Sequence, residues 1–522
     1  EVAYFFEGLI FADNFFCEMD WLDTLWVISY LVVVLGLSGY GIHRYVMIYL
    51  FCKHAKDVPK PDAHFDELPM VTVQLPIYNE LHVVERLVRS VAELDYPKDK
   101  LQIQVLDDST DETREICQVE VAKLVAAGFN AQLIHRVDRT GFKAGALEHG
   151  MPDAIGEYIF ILDADFVPPK NVLHDMIHYF TDEKIGLIQT RWGHINREYS
   201  LLTRIQAMFL DGHLIVEQTA RSRSGRFFNF NGTAGIWRKS CIEDAGGWQH
   251  DTLTEDLDLS YRAQMKGWKF VFLKDVVTPA ELPVDMNGFK SQQHRWTKGS
   301  IQTCKKLLKT VWMSPQPLII KLEATAHLTS NFAYLLLIFL CFLIYPGASP
   351  DGLELGGYRF FILDLPVFMI ASVSVGAFYI CSQRAVYPKN WMKEVLLLPF
   401  LLALGIGMSI NNGKAVLEAL FNMESPFVRT PKYGILRNGQ SWRRSSYSAM
   451  KSLALVFELI LALYFSYLTL FSIAADIWSS VPFMMLFTFG FWYVAIGSLM
   501  QLIPPSWLSS NKPIAEAVAT VV

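Results

Sequence analysis

Hydrophobic and polar positions divide the chain into three stretches with different periods. From Thr24 to Ile42 there is no charge, and Trp26, Val27, Ile28, Leu31, Val32, Val33, Val34 and Leu35 form a nearly continuous apolar run. At about 1.5 Å per residue, a helix of this length spans a bilayer's hydrocarbon core. Between Lys53 and Pro317 the pattern changes to short apolar runs bounded by polar turns: Val71–Leu75, Leu101–Leu106, Tyr158–Leu162 and Ile185–Ile188. Leu81–Leu94 carries Val83, Val84, Leu87, Val88 and Val91 on a helical period. Strands alternating with helices predict a mostly parallel sheet with right-handed crossovers and ligands at the carboxyl ends of its strands.

After Pro317 long apolar stretches return, at 324–346, 360–382, 453–475 and 482–503. A further one, 395–410, carries Pro399, Gly405 and Gly407. Arg384, Lys389 and Lys393 precede it, and Lys414, Arg429, Lys432, Arg437, Arg443 and Arg444 follow it. Basic residues on both sides predict a re-entrant or interfacial segment that keeps the loops 383–393 and 413–450 in the cytoplasm. The expected organisation is an N-terminal transmembrane segment (1–52), a cytoplasmic α/β domain (53–286) and amphipathic interface helices (287–317). A C-terminal transmembrane channel region (318–505) and a short cytoplasmic tail (506–522) complete it.

Composition agrees. Of 522 residues, 52% are hydrophobic and 19% charged, below the usual charged share of about 25%. The net charge of −6 excludes a globally basic nucleic-acid binder. The 7 cysteines include no CxxC pair, so neither a zinc site nor a disulfide framework is expected. Acidic residues (Glu1, Glu7, Asp13, Glu18, Asp20, Asp23) precede the first apolar run and Lys53, Lys56 and Lys60 follow it. This asymmetry puts the N-terminus outside and the α/β domain inside. Without a basic leading region, the run does not read as a cleaved signal peptide.

The candidate chemistry lies in the middle stretch. Asp163-Ala-Asp165 directly follows an apolar strand, and two hard carboxylates there suit Mg²⁺ or Mn²⁺ bridging to a diphosphate. Asp107-Asp108 ends another strand. Thr254-Glu255-Asp256 precedes an amphipathic helix, with Thr254 as its N-cap. Gln292-Gln-His-Arg295-Trp296 is expected to open a helix with a basic face (Lys290, Arg295, Lys298, Lys305, Lys306, Lys309). Phe289, Trp296, Ile301, Leu307, Leu308, Val311 and Trp312 form the opposite face, so the helix is predicted to lie flat at the bilayer surface. Glu458, inside a span, is expected either to line a glycan channel or to sit near the membrane edge, since an ionisable group there usually faces a bundle interior or polar path.

The order DD, DxD, TED, QxxRW, fused to membrane helices, resembles processive family 2 glycosyltransferases, which include cellulose, chitin and hyaluronan synthases. Gln189–Trp192, Phe230–Gly235, Ala245–Trp248, Lys266–Phe270, Glu281–Pro283 and Gln292–Trp296 bring it nearer the plant cellulose synthase-like A and C groups. The likeness runs from about 70 to 435. It implies an α/β GT-A-type (Rossmann-like) domain beside a transmembrane helical bundle. It also implies an inverting, metal-dependent transferase that polymerises and translocates a β-linked hexan.

By the same resemblance, Asp256 is the general base. Pro76, Tyr78, Glu80, Asp107, Lys143, Asp163 and Arg295 bind the nucleotide sugar. Asp163 and Asp165 hold the metal. Gln189, Asn231, Gly232, Glu255 and Trp296 meet the growing glycan. Phe427-Val-Arg-Thr430-Pro-Lys432 is similar to the gating loop of bacterial cellulose synthases, with Thr430 and Lys432 in place and Arg429 departing from the pattern; the gating-like loop is taken as 425–436.

UDP-glucose is the expected donor by a small margin, with GDP-mannose as the alternative. A non-processive lipid glycosyltransferase is the runner-up, and a non-catalytic membrane scaffold a third reading that the intact acidic motifs disfavour. Other expected partners are membrane lipids and a homo-oligomer or secretion partner, with no nucleic acid. The short stretch after Ile503 predicts no cyclic-dinucleotide-binding module. The host membrane is either a bacterial inner membrane or a Golgi or plasma membrane.

Overall fold

The computed structural model describes residues 21–344, 369–424, 429–435 and 453–502. Its sheet has seven strands: β1 (Val71–Ile77), β2 (Leu101–Asp107), β3 (Asn130–His135), β4 (Tyr158–Ile161), β5 (Ile185–His194), β6 (Gly235–Arg238) and β7 (Lys269–Ala280). Their order is β3-β2-β1-β4-β6-β5-β7. β1, β2, β3 and β4 pair in parallel, as do β5 and β7, while β6 runs antiparallel between β4 and β5. The four apolar runs are all strands. The fourth continues through polar residues to His194, and β3, β6 and β7 add three more. β3 (NAQLIH) and β6 (GIWR) carry too few consecutive apolar residues to stand out, whereas β7 holds the apolar run Phe270–Leu273, which the sequence reading does not take as a strand.

Both faces of the central strands are covered. Val71, Val73 and Leu75 of β1 pack with Leu101, Ile103 and Val105 of β2, and with Val84, Leu87, Val88 and Val91 of helix Val84–Ala92. On the other face polar side chains are buried in pairs. Thr72 Oγ1 donates to Gln102 Oε1 at 2.7 Å, and Gln74 Nε2 to Gln104 Oε1 at 3.0 Å. These bonds pair Thr72 with Gln102 and Gln74 with Gln104 inside the sheet, although Gln104 Nε2 and Gln74 Oε1 meet no partner among the described residues. Gly150 closes helix Phe142–Gly150 over them; a Cβ there would meet Gln74 Nε2 at 2.8 Å.

Among the described residues, five helices are long and apolar enough to cross a membrane: Thr24–Lys53, Leu318–Leu343, Met369–Val386, Ala454–Ala474 and Val481–Met500. The pair Trp391–Gly407 and Ser409–Leu420, bent by 41°, would make a sixth if counted as one span. This bent pair covers 395–410, and helix Ser409–Leu420 occupies the start of the expected 413–450 loop. Part of the 360–382 stretch, the tail 506–522 and most of 425–450 lie outside the described residues.

Helix Met286–Met313 joins the sheet domain to the apolar helices. It begins well before Gln292, with Asp285 Oδ1 accepting from Gly288 N at 2.7 Å as its cap. The predicted basic face is not a free face for lipid. Lys290 Nζ lies 2.7 Å from Glu458 Oε1, with Lys290 and Glu458 5% and 0% exposed. Lys298 meets Glu418 at 3.2 Å, Lys305 donates to the carbonyls of Ala419 and Leu420, and Lys306 pairs with Asp251 and Asp258. The lysines point to both sides because the helix is wedged between the sheet domain and the bundle. A helical projection treats any charged stripe as facing water, so it gives no sign of such partners. Glu458 accordingly belongs to the bundle interior.

Candidate active site

The carboxyl ends of β1 and β4 open into one cleft, lined by Pro76, Tyr78, Glu80, Lys143, Asp163, Asp165, Asn231, Gly232, Glu255, Asp256, Arg295, Trp296, Thr430 and Lys432. Residues far apart in sequence therefore meet. Leu162 N donates to Gln74 O at 3.2 Å, continuing the ladder one residue beyond β4, and Asp163 N donates to Thr233 Oγ1 at 2.8 Å. These bonds set the turn from which both carboxylates project. Arg86 donates to Asp165 O at 3.2 Å and pairs with Glu281 at 2.6 Å, bracing the same turn from the other side.

Two ammonium groups face the carboxylates. Lys143 Nζ is 2.6 Å from Asp163 Oδ1 and donates to Gly232 O at 2.8 Å. Lys432 Nζ is 2.5 Å from Asp165 Oδ1 and 3.7 Å from Glu80 Oε1. Arg429 also reaches Glu80, at 2.6 Å, so the gating-like segment is tied into the cleft. Burial opposes charge on Asp163, but Lys143 and Lys432 outweigh it and hold the carboxyl below its usual range. Burial would lower Lys432, but Asp165, Glu80 and Asp163 raise it.

Asp256 stands across from this pair. Gly232 adopts φ +81, and a Cβ on it would meet Asp256 Oδ2 at 3.0 Å and Lys143 Nζ at 3.4 Å. The positive φ and this close approach both favour glycine. Burial first, then the adjacent Glu255 charge, pushes the Asp256 carboxyl up to about 7. Burial raises Glu255 as well. Arg295 lies in the field of Glu255, Asp163, Asp256 and Glu80. At the other end of the cleft, Trp296 and Trp192 have ring centroids 6.4 Å apart, and Trp192 packs edge-on to Phe166 at 5.5 Å.

Three sequence expectations are corrected. Asp107 does not reach the cleft: it is fully buried, with Oδ2 2.7 Å from His135 Nδ1 and Oδ1 accepting from Ser109 N at 3.0 Å. Asp108 lines the cleft instead and is held by Arg136 at 2.6 Å. Successive extended residues point to opposite sides, so Asp107 at the end of β2 turns inward and Asp108 just beyond it turns to the cleft. Gln189 is likewise fully buried; its amide donates to the carbonyls of Thr190, Thr233 and Ala234 and accepts from Asn231 N at 3.1 Å. It shapes the Asn231–Thr233 turn rather than meeting a ligand. Thr254 occupies the N-cap position of helix Glu255–Met265, but its hydroxyl pairs with Thr303 Oγ1 at 3.2 Å and makes no cap bond.

Sequence reading missed Arg86, Arg139 and Trp192 as site residues. Arg139 lies over the Tyr78 ring at 3.3 Å, making one wall of the cleft. Trp192 stood within a motif already noted, and its position near the end of β5 was the available signal.

Residues 69–299 match the family "Glycosyltransferase like family 2". The chain carries a family 2 glycosyltransferase domain of GT-A-type α/β fold beside several long apolar helices. A solved structure sharing the fold is the mannosyltransferase PcManGT from Pyrobaculum calidifontis in complex with GDP-Man and Mn²⁺. It has TM-score 0.50 and 18% identity, covering 76% of this chain and 100% of that one. Among curated relatives, glucomannan 4-beta-mannosyltransferase 1 of Cyamopsis tetragonoloba is 39% identical over 292 residues, 53% of this chain and 56% of that protein. Probable glucomannan 4-beta-mannosyltransferase 7 of Oryza sativa subsp. japonica is 42% identical over 260 residues, 49% of this chain and 44% of that protein. The chain thus spans about half the length of the curated relatives it matches.

Proposed function

We propose that this chain is a membrane-embedded β-1,4-mannan synthase that transfers mannose from GDP-mannose to the end of a growing glycan. The observation carrying the reading is the face-to-face arrangement in one cleft of Asp163 and Asp165 with Asp256, between Lys143 and Arg295. The names of the plant relatives favour mannose over the UDP-glucose expected from sequence.

Lys143 and Arg295 would receive the diphosphate, the guanidinium matching two phosphate oxygens at once. Asp163 and Asp165 fit a divalent cation: they supply two hard oxygen donors at one strand end, where a cation would take the place of the ammonium groups of Lys143 and Lys432. No group of three or more His, Cys, Asp or Glu is poised for a metal among the described residues. Mg²⁺ or Mn²⁺ takes one or two carboxylates and completes its shell with phosphate and water. The cation, when bound, would neutralise charge on the departing nucleoside diphosphate.

Asp256 would take the proton from the acceptor hydroxyl as its oxygen attacks the anomeric carbon and the bond to the diphosphate breaks. A carboxyl raised to about 7 is a stronger base than an ordinary aspartate and is about half ionised near neutrality. One displacement inverts the anomeric centre, so an α-linked donor gives a β-linkage. Trp296 and Trp192 would stack the acceptor sugar. Helix Met286–Met313 carries both Arg295 and Trp296 and reaches the bundle, which favours delivery of the product into the membrane region.

The test is the purified full chain with Mn²⁺ or Mg²⁺ and labelled nucleotide sugars, with products digested by linkage-specific hydrolases. A polymer from GDP-mannose cut by β-1,4-mannanase supports the reading. A labelled lipid instead of a polymer, or incorporation from UDP-glucose alone, overturns it.

A further inference from the structure

Helix Met286–Met313 meets the turn that carries Asp256 along one face. Gly299, Gln302, Thr303 and Lys306 follow the i, i+3, i+4, i+7 spacing of a single helical stripe. Arg295 stands one turn before Gly299 on the same side, and all five fall within an arc of about 100°. Each of the last four touches the segment 249–258. Gln302 Oε1 accepts from Leu253 N at 2.9 Å, and the Thr303 and Thr254 hydroxyls lie 3.2 Å apart. Lys306 Nζ donates to Gln249 Oε1 and Asp251 Oδ1, both at 2.7 Å, and pairs with Oδ1 of the buried Asp258 at 2.9 Å. Arg262 holds the other oxygen of Asp258 at 2.7 Å.

The contact at Gly299 is the closest. A Cβ there would meet Thr254 Cγ2 at 2.6 Å, and Thr254 N and Oγ1 at 2.8 Å each. The nitrogen is main chain, and Thr254 is itself buried. Any side chain at 299 therefore has to push the Thr254 backbone away or the helix back, in packing with little room to give. Thr254 precedes helix Glu255–Met265 and makes no cap bond to it. The start of that helix is located by the neighbouring helix and not by a local cap. Asp256 follows two residues later, with Oδ1 accepting from Leu257 N at 2.8 Å, so its carboxylate moves with this backbone. Gly232 bounds the other oxygen, a Cβ there lying 3.0 Å from Asp256 Oδ2. The turn is seated between two bare backbones, one at the carboxylate and one at the main chain before it.

We propose that Gly299 is a positioning residue: its bare backbone, with Lys306 two turns later, docks the Thr254–Asp258 segment so that Asp256 stands in register with Arg295 of the same helix. The proposal rests on reading Asp256 as the base and adds how base and leaving-group contact are kept aligned. One helix thus carries Arg295 directly and Asp256 at one remove. Neither Gly299 nor Lys306 lines the cleft.

The full chain in detergent is assayed for kcat and donor KM, with each substitution made alone and together with Asp256→Asn. Gly299→Ala should lower kcat about 100-fold, the cost of misplacing a reacting group by about 1 Å, with donor KM unchanged. In the Asp256→Asn chain the same substitution should cost no more than about 3-fold, because the group it displaces is already disabled. Lys306→Met should repeat the pattern at about 10-fold. Lys306→Arg keeps a cation for Asp251 and Asp258 and should retain most transfer.

Full transfer by Gly299→Ala overturns the proposal. So does a loss of the same size in the Asp256→Asn chain, which marks a fold defect independent of the base. Should Gly299→Ala not fold, Lys306→Met and Lys306→Arg decide by the same comparison. If Asp256→Asn alone transfers at the wild-type rate, the base reading falls; if it collapses and Gly299→Ala does not, only the positioning role falls.

Discussion

Lys432 Nζ stands 2.5 Å from Asp165 Oδ1, so the gating-like segment supplies positive charge at the carboxylates that suit a divalent cation. Glu80 holds the segment there through both Arg429 and Lys432. An ammonium and a divalent cation compete for the same oxygen, and binding the cation requires Lys432 to withdraw or to turn toward a phosphate.

Lys432→Met should therefore lower the metal concentration needed for half-maximal activity while raising the donor KM. Asp163→Asn or Asp165→Asn, each removing one anionic oxygen donor, should reduce turnover by at least about 100-fold. Metal titrations of the three variants check both statements. Full turnover in excess chelator would refute the metal assignment.

Asp256→Asn should leave nucleotide binding measurable while transfer falls by about 10²–10⁴-fold, the span of general-base contributions. The wild-type pH profile carries the same signature. The ionised carboxylate is the working form, so kcat should rise with pH through about 7 and lose that limb in the variant. A profile flat from pH 5 to 8 would point to another base.

Much of this architecture was legible from sequence because its signals are local. β4 is a continuous apolar run, and β1 and β2 carry an apolar residue at every second position, which is why these three stood out, with the DxD at the end of β4. What was not legible depends on partners distant in the chain. β6 is short, and its antiparallel place between β4 and β5 is fixed by pairing alone. Asp107 and Asp108 are equivalent in sequence, and only the pleat decides that Asp107 turns to His135 and Asp108 to the cleft. The lysines of helix Met286–Met313 matched a membrane-surface pattern equally well, until Glu458 and Glu418 arrived from helices more than a hundred residues away.

Asp107→Ala should act on stability and not on donor choice. It removes an acceptor from His135 and from Ser109 N in a fully buried setting, at a cost of about 1–3 kcal/mol. Thermal unfolding of the purified variant should shift downward while the ratio of activities on two nucleotide sugars stays constant. A changed ratio at unchanged stability would return Asp107 to the base-binding role.

Trp296→Ala should shorten the product while nucleotide affinity changes little. The indole offers an apolar face next to Trp192, and stacking on such a face needs no particular hydroxyl pattern. Product size and nucleotide affinity, measured on equal amounts of folded protein, check the split. Unchanged product length would leave Trp296 as packing only.

Helix Met286–Met313 is clamped near its start by Lys290 on Glu458 and carries Arg295 and Trp296 little more than one turn later. The rise between Lys290 and Arg295 is roughly 7.5 Å, so Arg295 and Trp296 keep a set elevation above the bundle. The helix is a gauge, and its zero mark is a buried ion pair. An alanine inserted between Lys290 and Arg295 would preserve every side chain yet swing the two contacts about 100° around the axis, and the machine would lose its alignment without losing a part.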